Sequence, residues 1–196
     1  MTFLTTIPEA DATDSVAEMY EDDQEALGYL PNYTRAFSLR PDVYRAWRAL
    51  SGAIKANMDL RRYELATVAA ARRLRSSYCT LAHGSVLLNN FLEPDAVRAV
   101  VDDYRTADLD PVDVAVMDLA DKVVQDATAV TEEDIDRLRY LGLTDAEILD
   151  VVLAAAVRCF FSKTLDAIGV APDSRYADLA PELRDTLTVG RAIADG

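Results

Sequence analysis

The chain contains very little histidine, cysteine or tryptophan: of its 196 residues, one is His, two are Cys and one is Trp. Two cysteines cannot build the disulfide framework of a small secreted domain, so each thiol is either part of the core or chemically active. The seven glycines stand apart from one another, which excludes a glycine-rich phosphate-binding loop. One histidine leaves few groups with ligand spacing, so we expect neither a metal nor another cofactor.

Basic residues are also scarce, with 20 Lys and Arg against 34 Asp and Glu and a formal net charge of −14. A surface this acidic repels nucleic acids and anionic membranes, so neither is expected as a partner. The longest apolar run, Val151 to Val157, is far shorter than the ~20 residues of a spanning helix. The first residues show no basic region followed by an apolar stretch, as a secretory signal would. We therefore expect a cytoplasmic protein.

What the chain does contain is typical of helices. It is 51% apolar and 28% charged, enough to fold around a sizeable core, and its apolar residues recur at spacings of three and four without sustained alternation. We predict an all-α bundle of about eight to nine helices. The chain is expected to form one domain over residues 1–196, with residues 1–12 as an N-terminal arm and 174–196 as a C-terminal extension.

Helix boundaries can be predicted from capping residues. Asp59 is expected to cap a helix that runs to about Leu74, and Ser76 or Ser77 to cap the next one. The sequence from Thr144 to Glu147 has the form of a capping box and begins a long helix to about Ile168. This helix is apolar nearly all round between positions 148 and 157, so it should be either the buried centre or an oligomer interface. A terminal helix is predicted over about 181–194.

Three polar residues in the middle of the chain form the candidate site: Glu64, Cys79 and His83. Cys79 and His83 are four residues apart, which places them on one face of a helix. Cys79 falls in the first helical turn, where the helix dipole favours a thiolate, and His83 could take its proton directly or through a water molecule. Glu64 could orient the imidazole. The alternative is structural: a hydrogen-bonded core histidine and an inert buried thiol.

At these residues the sequence resembles the AhpD-like alkylhydroperoxidase and carboxymuconolactone decarboxylase superfamily. Its signature is a glutamate, a Cys-x-x-Cys twelve residues later, and a histidine four residues after the second cysteine; here Glu64, Ser76, Cys79 and His83 occupy those positions. The flanks are similar to the peroxidase-related branch, and the resemblance covers about residues 7–173. It implies an all-helical AhpD-like fold and assembly into dimers, trimers or hexamers.

The resemblance also implies roles for the candidate residues. Cys79 would attack a small hydroperoxide and become a sulfenic acid, with His83 and Glu64 relaying the proton. The family's first cysteine then resolves the sulfenic acid as a disulfide, but this chain has Ser76 in its place, and a hydroxyl cannot form a disulfide. Cys79 could then be reduced by an external thiol or redox protein, Cys159 could resolve it, or the peroxidase cycle could be lost. Tyr78, like Ser76 and Cys159, is a candidate auxiliary residue, and core packing is the simpler explanation for Cys159.

Three functions therefore remain open from the sequence. The first is a thiol-dependent hydroperoxide reductase, an antioxidant oxidoreductase. The second is a decarboxylase-like acid–base enzyme acting on a small acidic substrate, in which Glu64 and His83 transfer protons and the thiol is incidental. That enzyme needs a cation for the substrate carboxylates, and the candidates are Arg72, Arg73, Arg75 and Arg158. The third is a non-catalytic oligomeric scaffold, which the loss of the resolving cysteine favours.

Overall fold

The computed structural model describes residues 2–195, and these contain ten α-helices and no β-strand. The all-α prediction is therefore confirmed, whereas the predicted number of eight to nine helices is too low. The helices are α1 Asp14–Leu27, α2 Asn32–Ala36, α3 Pro41–Ala56, α4 Leu60–Arg73, α5 Ser77–Asn90, α6 Pro94–Asp103, α7 Pro111–Asp126, α8 Glu132–Tyr140, α9 Asp145–Ala167 and α10 Pro181–Leu187.

Helix α4 lies at the centre of the bundle and packs against α5, α7 and α9. Its side chains from Tyr63 to Ala71 are all buried, because this segment is apolar apart from Glu64 and Thr67. Full burial of a side chain such as Leu65 stabilises the fold by roughly 1.5–3 kcal/mol. The helix begins as predicted, since Asp59 accepts a hydrogen bond from the backbone N–H of Arg62 at 3.0 Å. The central helix thus carries one buried carboxylate into the core.

The start of α5 differs from the prediction in how its serines are used. Ser76 occupies the N-cap position, but its hydroxyl makes no capping hydrogen bond. The hydroxyl of Ser77 instead accepts a hydrogen bond from the backbone N–H of Gly190 at 2.7 Å. This contact holds the last residues of the chain against α5. The terminal helix ends at Leu187 rather than near residue 194. Beyond it the backbone bonds to other segments instead, Gly190 to Ser77 and Ala194 to the carbonyl of Pro172.

The long helix α9 has two kinds of apolar surface. It begins with the predicted capping box between Thr144 and Glu147. One side packs against α4 and α7 and buries Ala155 and Leu165 completely. The other side faces α3 across an open apolar groove of about 440 Å³. The exposed apolar side chains that line this groove are Val43 and Leu50 of α3 and Leu153 and Phe160 of α9.

Both ends of the described chain contact the bundle. The backbone N–H of Phe3 donates to the carbonyl of Ile168 at 2.8 Å, and a short 3₁₀ turn spans Glu9–Asp11. A second 3₁₀ segment, Ser174–Asp178, leads into α10, which packs on α5 and α6. None of the helices in the described part of the chain combines the length and the apolarity needed to cross a membrane.

Candidate active site

The first part of the site is a buried pair formed by Glu64 of α4 and His83 of α5. Nδ1 of His83 lies 2.5 Å from Oε2 of Glu64, and the other carboxylate oxygen accepts from Nζ of Lys55 at 3.3 Å. The side chain of Glu64 is almost completely buried, and that of His83 is 16% exposed. The sequence hypothesis that Glu64 orients the imidazole is thus matched by a direct contact. Lys55, a further partner from α3, gave no signal in the sequence.

Burial and neighbouring charges act on this pair in opposite directions. Burial raises the pKa of Glu64, but His83 and Lys55 lower it by more, so the pKa lies below its ordinary value. Burial, followed by Arg158, lowers the pKa of His83, and Glu64 offsets this only in part. We therefore assign a neutral imidazole at neutral pH and attribute the ionised state of Glu64 to Lys55 and to the Nδ1–H hydrogen bond. This tautomer leaves Nε2 as a proton acceptor.

The second part of the site surrounds the sulfur of Cys79, in the first turn of α5. The residue is only 2% exposed. The hydroxyl of Ser162 donates to Sγ at 3.0 Å, and Nη1 of Arg158 lies 3.5 Å from Sγ. Arg158 and Ser162 are one turn apart on α9, so both reach the same atom. A cation and a hydroxyl donor therefore both lie beside the sulfur.

Glu64, Cys79 and His83 line one cavity of about 330 Å³. No hydrogen bond joins Cys79 to His83 within the described residues, so a proton passing between them would need a water molecule or a substrate atom. Aromatic and apolar side chains form much of the wall. The lining residues outside the trio include Leu27, Tyr33, Trp47, Tyr63, Tyr78, Val86, Arg158 and Phe161.

Of the four arginines considered as candidate cations, only Arg158 lines this cavity. Arg72 donates to the backbone carbonyl of Asp102, and Arg75 to that of Val189. Arg73 forms an ion pair with Asp121 at 2.5 Å. The sequence could not choose among the four, because the choice depends on which helix packs against α5. It gave no indication of Ser162, although a polar pair four residues apart in an apolar helix is the signal that could have revealed it.

The comparisons with known proteins agree with this architecture. Residues 41–122 match the carboxymuconolactone decarboxylase family. A peroxidase-related protein with an alkylhydroperoxidase AhpD core, from Ralstonia eutropha JMP134, has a TM-score of 0.80 and 25% identity, over 97% of this chain and 98% of that one. A peroxidase-related protein from Silicibacter sp. TM1040 has a TM-score of 0.81 and 24% identity, over 90% and 94%. The sequence over residues 41–122 and the fold of the described chain are thus similar to those of the AhpD-like and carboxymuconolactone decarboxylase superfamily.

The same fold occurs in a more distant structure. A cysteine-to-alanine variant of the debrominase Bmp8, in complex with 2,3,4-tribromopyrrole, has a TM-score of 0.74 and 17% identity, over 95% of this chain and 96% of that one. No curated protein matches the chain. The resemblance to the peroxidase-related branch is thus confirmed at the level of the superfamily and its fold.

The auxiliary candidates occupy different surroundings. Ser76, at the superfamily's first cysteine position, is buried, and its hydroxyl has no hydrogen-bond partner within the described residues. Tyr78 lines the cavity and donates to Asp173 at 2.5 Å. Cys159 is a partly exposed free thiol and is not part of the cavity lining. It follows Arg158 and so points about 100° away around α9, and burial raises the pKa of its thiol despite Lys163.

Proposed function

We propose that this protein is a thiol-dependent hydroperoxide reductase in which Cys79 is the attacking group. The observation that carries the proposal is the surroundings of one sulfur atom: Ser162 and Arg158 both point donors at Sγ. A thiolate is the nucleophilic form of cysteine, and such donors favour it. The Glu64–His83 pair in the same cavity supplies an oriented base.

The proposed first step is transfer of one oxygen atom. His83 accepts the thiol proton at Nε2 through a bridging water, and the thiolate attacks the outer peroxide oxygen. An S–O bond forms while the O–O bond breaks, so the thiol is oxidised by two electrons to a sulfenic acid and the peroxide is reduced to an alkoxide. The alkoxide takes the proton from the imidazolium and leaves as the alcohol. Glu64 holds the imidazole in the required tautomer throughout.

The proposed second step needs an external reductant, because Ser76 cannot supply the second sulfur. A small thiol condenses with the sulfenic acid to give a mixed disulfide and water, and a second small thiol releases Cys79 as a thiol together with a small-molecule disulfide. A redox protein could serve the same purpose. Resolution by Cys159 remains the alternative, although that thiol lies outside the cavity lining.

The proposal is tested by locating the oxidised sulfur. The protein is treated with stoichiometric cumene hydroperoxide, trapped with dimedone and digested for mass spectrometry. We expect the adduct on Cys79, no adduct in Cys79→Ser, and an unchanged yield in Cys159→Ser. Folded protein in which Cys79 stays unmodified would refute the proposal. In a second experiment dimedone is added at increasing times after the peroxide, without added thiol. If the sulfenic acid persists longer in Cys159→Ser than in the wild type, Cys159 is the resolving residue.

A second candidate function is acid–base catalysis on a small acidic substrate, as in the decarboxylase branch. It is favoured by the Glu64–His83 contact and by the presence of Arg158 in the same cavity. Here the thiol is incidental, so Cys79→Ser should keep lactone decarboxylation measured by loss of CO₂. Under the first proposal the same variant loses hydroperoxide reduction. If neither reaction occurs, the scaffold function is left as the explanation.

A further inference from the structure

Arg158 stands out among the buried charged residues because no acidic group offsets its charge. It is 3% exposed, and no carboxylate lies within ion-pair distance of it in the described part of the chain. Its guanidinium has five N–H donors. Nη1 has Sγ of Cys79 as its partner, Tyr63 is a further polar neighbour, and Nε has no partner. A buried cation with so few acceptors is costly to the fold.

The other buried charges show that this chain normally pairs such groups. Each of the remaining buried charged side chains has an ion-pair partner or several hydrogen-bond donors. The ion pairs are Asp23 with Arg48, Glu64 with Lys55, Asp113 with Arg61 and Asp121 with Arg73, and Asp173 accepts from Tyr29, Tyr78 and the backbone of Asn32. Arg158 is the exception, and it is the one that lines the Cys79 cavity.

The charges that line the cavity also indicate an anionic ligand. Lys55 and Glu64 neutralise each other, and the neutral form of His83 adds no charge. Arg158 therefore gives the wall a net positive charge whenever Cys79 is a thiol. Even when Cys79 is a thiolate, its sulfur contacts only Nη1 of Arg158, at 3.5 Å, and it also accepts a hydrogen bond from Ser162. The planar guanidinium keeps donors that suit a carboxylate or a similar oxyanion.

The remaining wall suits a small apolar or aromatic body. The rings of Trp47 and Phe161 are stacked with centroids 3.9 Å apart, and Tyr33 meets Phe161 edge-on at 5.5 Å. Apolar and aromatic walls with a few convergent polar groups are typical of small-molecule sites. A volume of about 330 Å³ is at the lower end for such sites, so the ligand is small.

We propose that the Cys79 cavity selects small aromatic or apolar substrates that carry one anionic group, and that Arg158 recognises that group beside the attacking sulfur. This inference rests on the proposed role of Cys79 as the nucleophile and adds a substrate class to it: hydroperoxides with a carboxylate or another oxyanion close to the reacting oxygen. Neutral hydroperoxides of the same size would react more slowly.

Two alkylating reagents of similar size test the recognition without any turnover. Iodoacetate and iodoacetamide both form an S–C bond with release of iodide, but only iodoacetate is an anion. In a Cys159→Ser background, the rate ratio of iodoacetate to iodoacetamide at Cys79 should exceed the ratio for free glutathione. Arg158→Gln should lower it by about tenfold, roughly the worth of a hydrogen bond to a charged group. Lys163→Gln removes an exposed cation from the same helix and should leave the ratio unchanged.

The ratio separates recognition from thiolate activation. If Arg158 only stabilised the thiolate, Arg158→Gln would slow both reagents equally; an unchanged ratio therefore overturns the proposal. Arg158→Lys keeps the charge and should recover part of the ratio. Wild-type protein provides a measurement that needs no variant: benzoate should protect Cys79 from iodoacetamide at a concentration at least about tenfold lower than benzamide does. Equal protection by both, or none by either, also overturns it.

These results are independent of whether the protein reduces peroxides. A high ratio and selective benzoate protection, with no sulfenic acid at Cys79 after peroxide treatment, would keep the anion site and reject the peroxidase. Sulfenic acid formation with no preference for anions would keep the peroxidase and reject the anion site. Both positive results support comparing 2-carboxycumene hydroperoxide, whose carboxylate lies beside the hydroperoxide group, with the neutral parent as substrates.

Discussion

The single histidine of the chain lies between opposing electrostatic influences. Burial and the nearby charge of Arg158 favour the neutral imidazole, whereas Glu64, 2.5 Å from Nδ1, favours the charged one. The first two effects prevail, so the pKa of His83 is below its ordinary value of 6.5. A base that remains neutral at neutral pH can accept a thiol proton, which is the role proposed for Nε2.

Because the pKa of His83 is lowered, the free energy of unfolding should decrease as the pH falls. Below pH 6.5 the unfolded chain binds a proton at this residue that the folded chain does not, so stability is full above 6.5 and is lost as pH falls through the folded pKa. Urea unfolding between pH 7.5 and 5 should show this loss, and His83→Gln should lack it. Since the chain has one histidine, NMR titration of its imidazole protons gives the pKa directly. A midpoint above 6.5 would contradict the assignment.

Ser162 provides a test of thiolate stabilisation that leaves all charges in place. Its hydroxyl donates to Sγ of Cys79 at 3.0 Å. Ser162→Ala should slow sulfenic acid formation by about fivefold, which corresponds to loss of one hydrogen bond of roughly 1 kcal/mol. Stopped-flow measurement of thiol loss with excess hydroperoxide gives the rate. Ser51→Ala, which removes a cavity hydroxyl bonded to Tyr63 at 3.3 Å instead, is the matched control, and an equal effect of both changes would argue against a specific role for Ser162.

At the scale of single elements, the attachment of the C-terminal segment to α5 depends on one glycine. A Cβ atom at Gly190 would lie 1.9 Å from the carbonyl oxygen of Arg75. This oxygen belongs to the backbone, so it cannot move aside as the end of a flexible side chain could. The same residue donates its N–H to Ser77. Any side chain at position 190 therefore forces the segment away from the start of the helix that carries Cys79 and His83.

We expect Gly190→Ala to lower the free energy of unfolding by about 1–3 kcal/mol, the usual range for overpacking, and to expose Arg191 to trypsin. Gly52→Ala is the matched control. Gly52 lies in the exposed middle of α3 with no atom within 4 Å of an added Cβ, so alanine there should raise the free energy by about 0.5–1 kcal/mol. Thermal unfolding and timed proteolysis measure both. Equal stability of the two variants would contradict the close approach.

At the scale of the whole molecule, the apolar groove between α3 and α9 has no covering element within the described residues. Helix α9 was expected to be either buried or an oligomer interface, and it combines a buried side with exposed apolar residues such as Leu153 and Phe160. Large exposed apolar patches mark interaction sites in many proteins. Assembly of several copies, implied by the superfamily resemblance, remains our proposal for this surface.

If copies of the chain associate through this groove, a charge placed in it should separate them. Leu50 is 54% exposed and lines the groove. Leu50→Asp should reduce the solution mass measured by light scattering toward 21.5 kDa, because burying an unpaired carboxylate is costly. Tyr140→Asp adds the same charge at an exposed position of α8 and should not change the mass. A wild-type protein that is monomeric at all concentrations would reject the assembly.

The sequence by itself determined the helical fold and the spacing within the site. Apolar periodicity placed the helices, Asp59 and the Thr144–Glu147 capping box fixed two of their starts, and the interval of four residues put Cys79 and His83 on one face. These features are local, so they are encoded in neighbouring residues. Glu64 joined the pair as a carboxylate in an otherwise apolar run, and the superfamily motif has a glutamate at the same position.

Only the tertiary structure decided which residues meet the sulfur. Arg158 and Ser162 lie 79 and 83 positions from Cys79 along the chain, and no local pattern specifies that α9 presents them to α5. The same packing separated Arg158 from the three other candidate arginines and left Cys159 off the cavity wall. Burial then set the state of His83, because the cost of charging an imidazole depends on the helices around it rather than on its own position in the sequence.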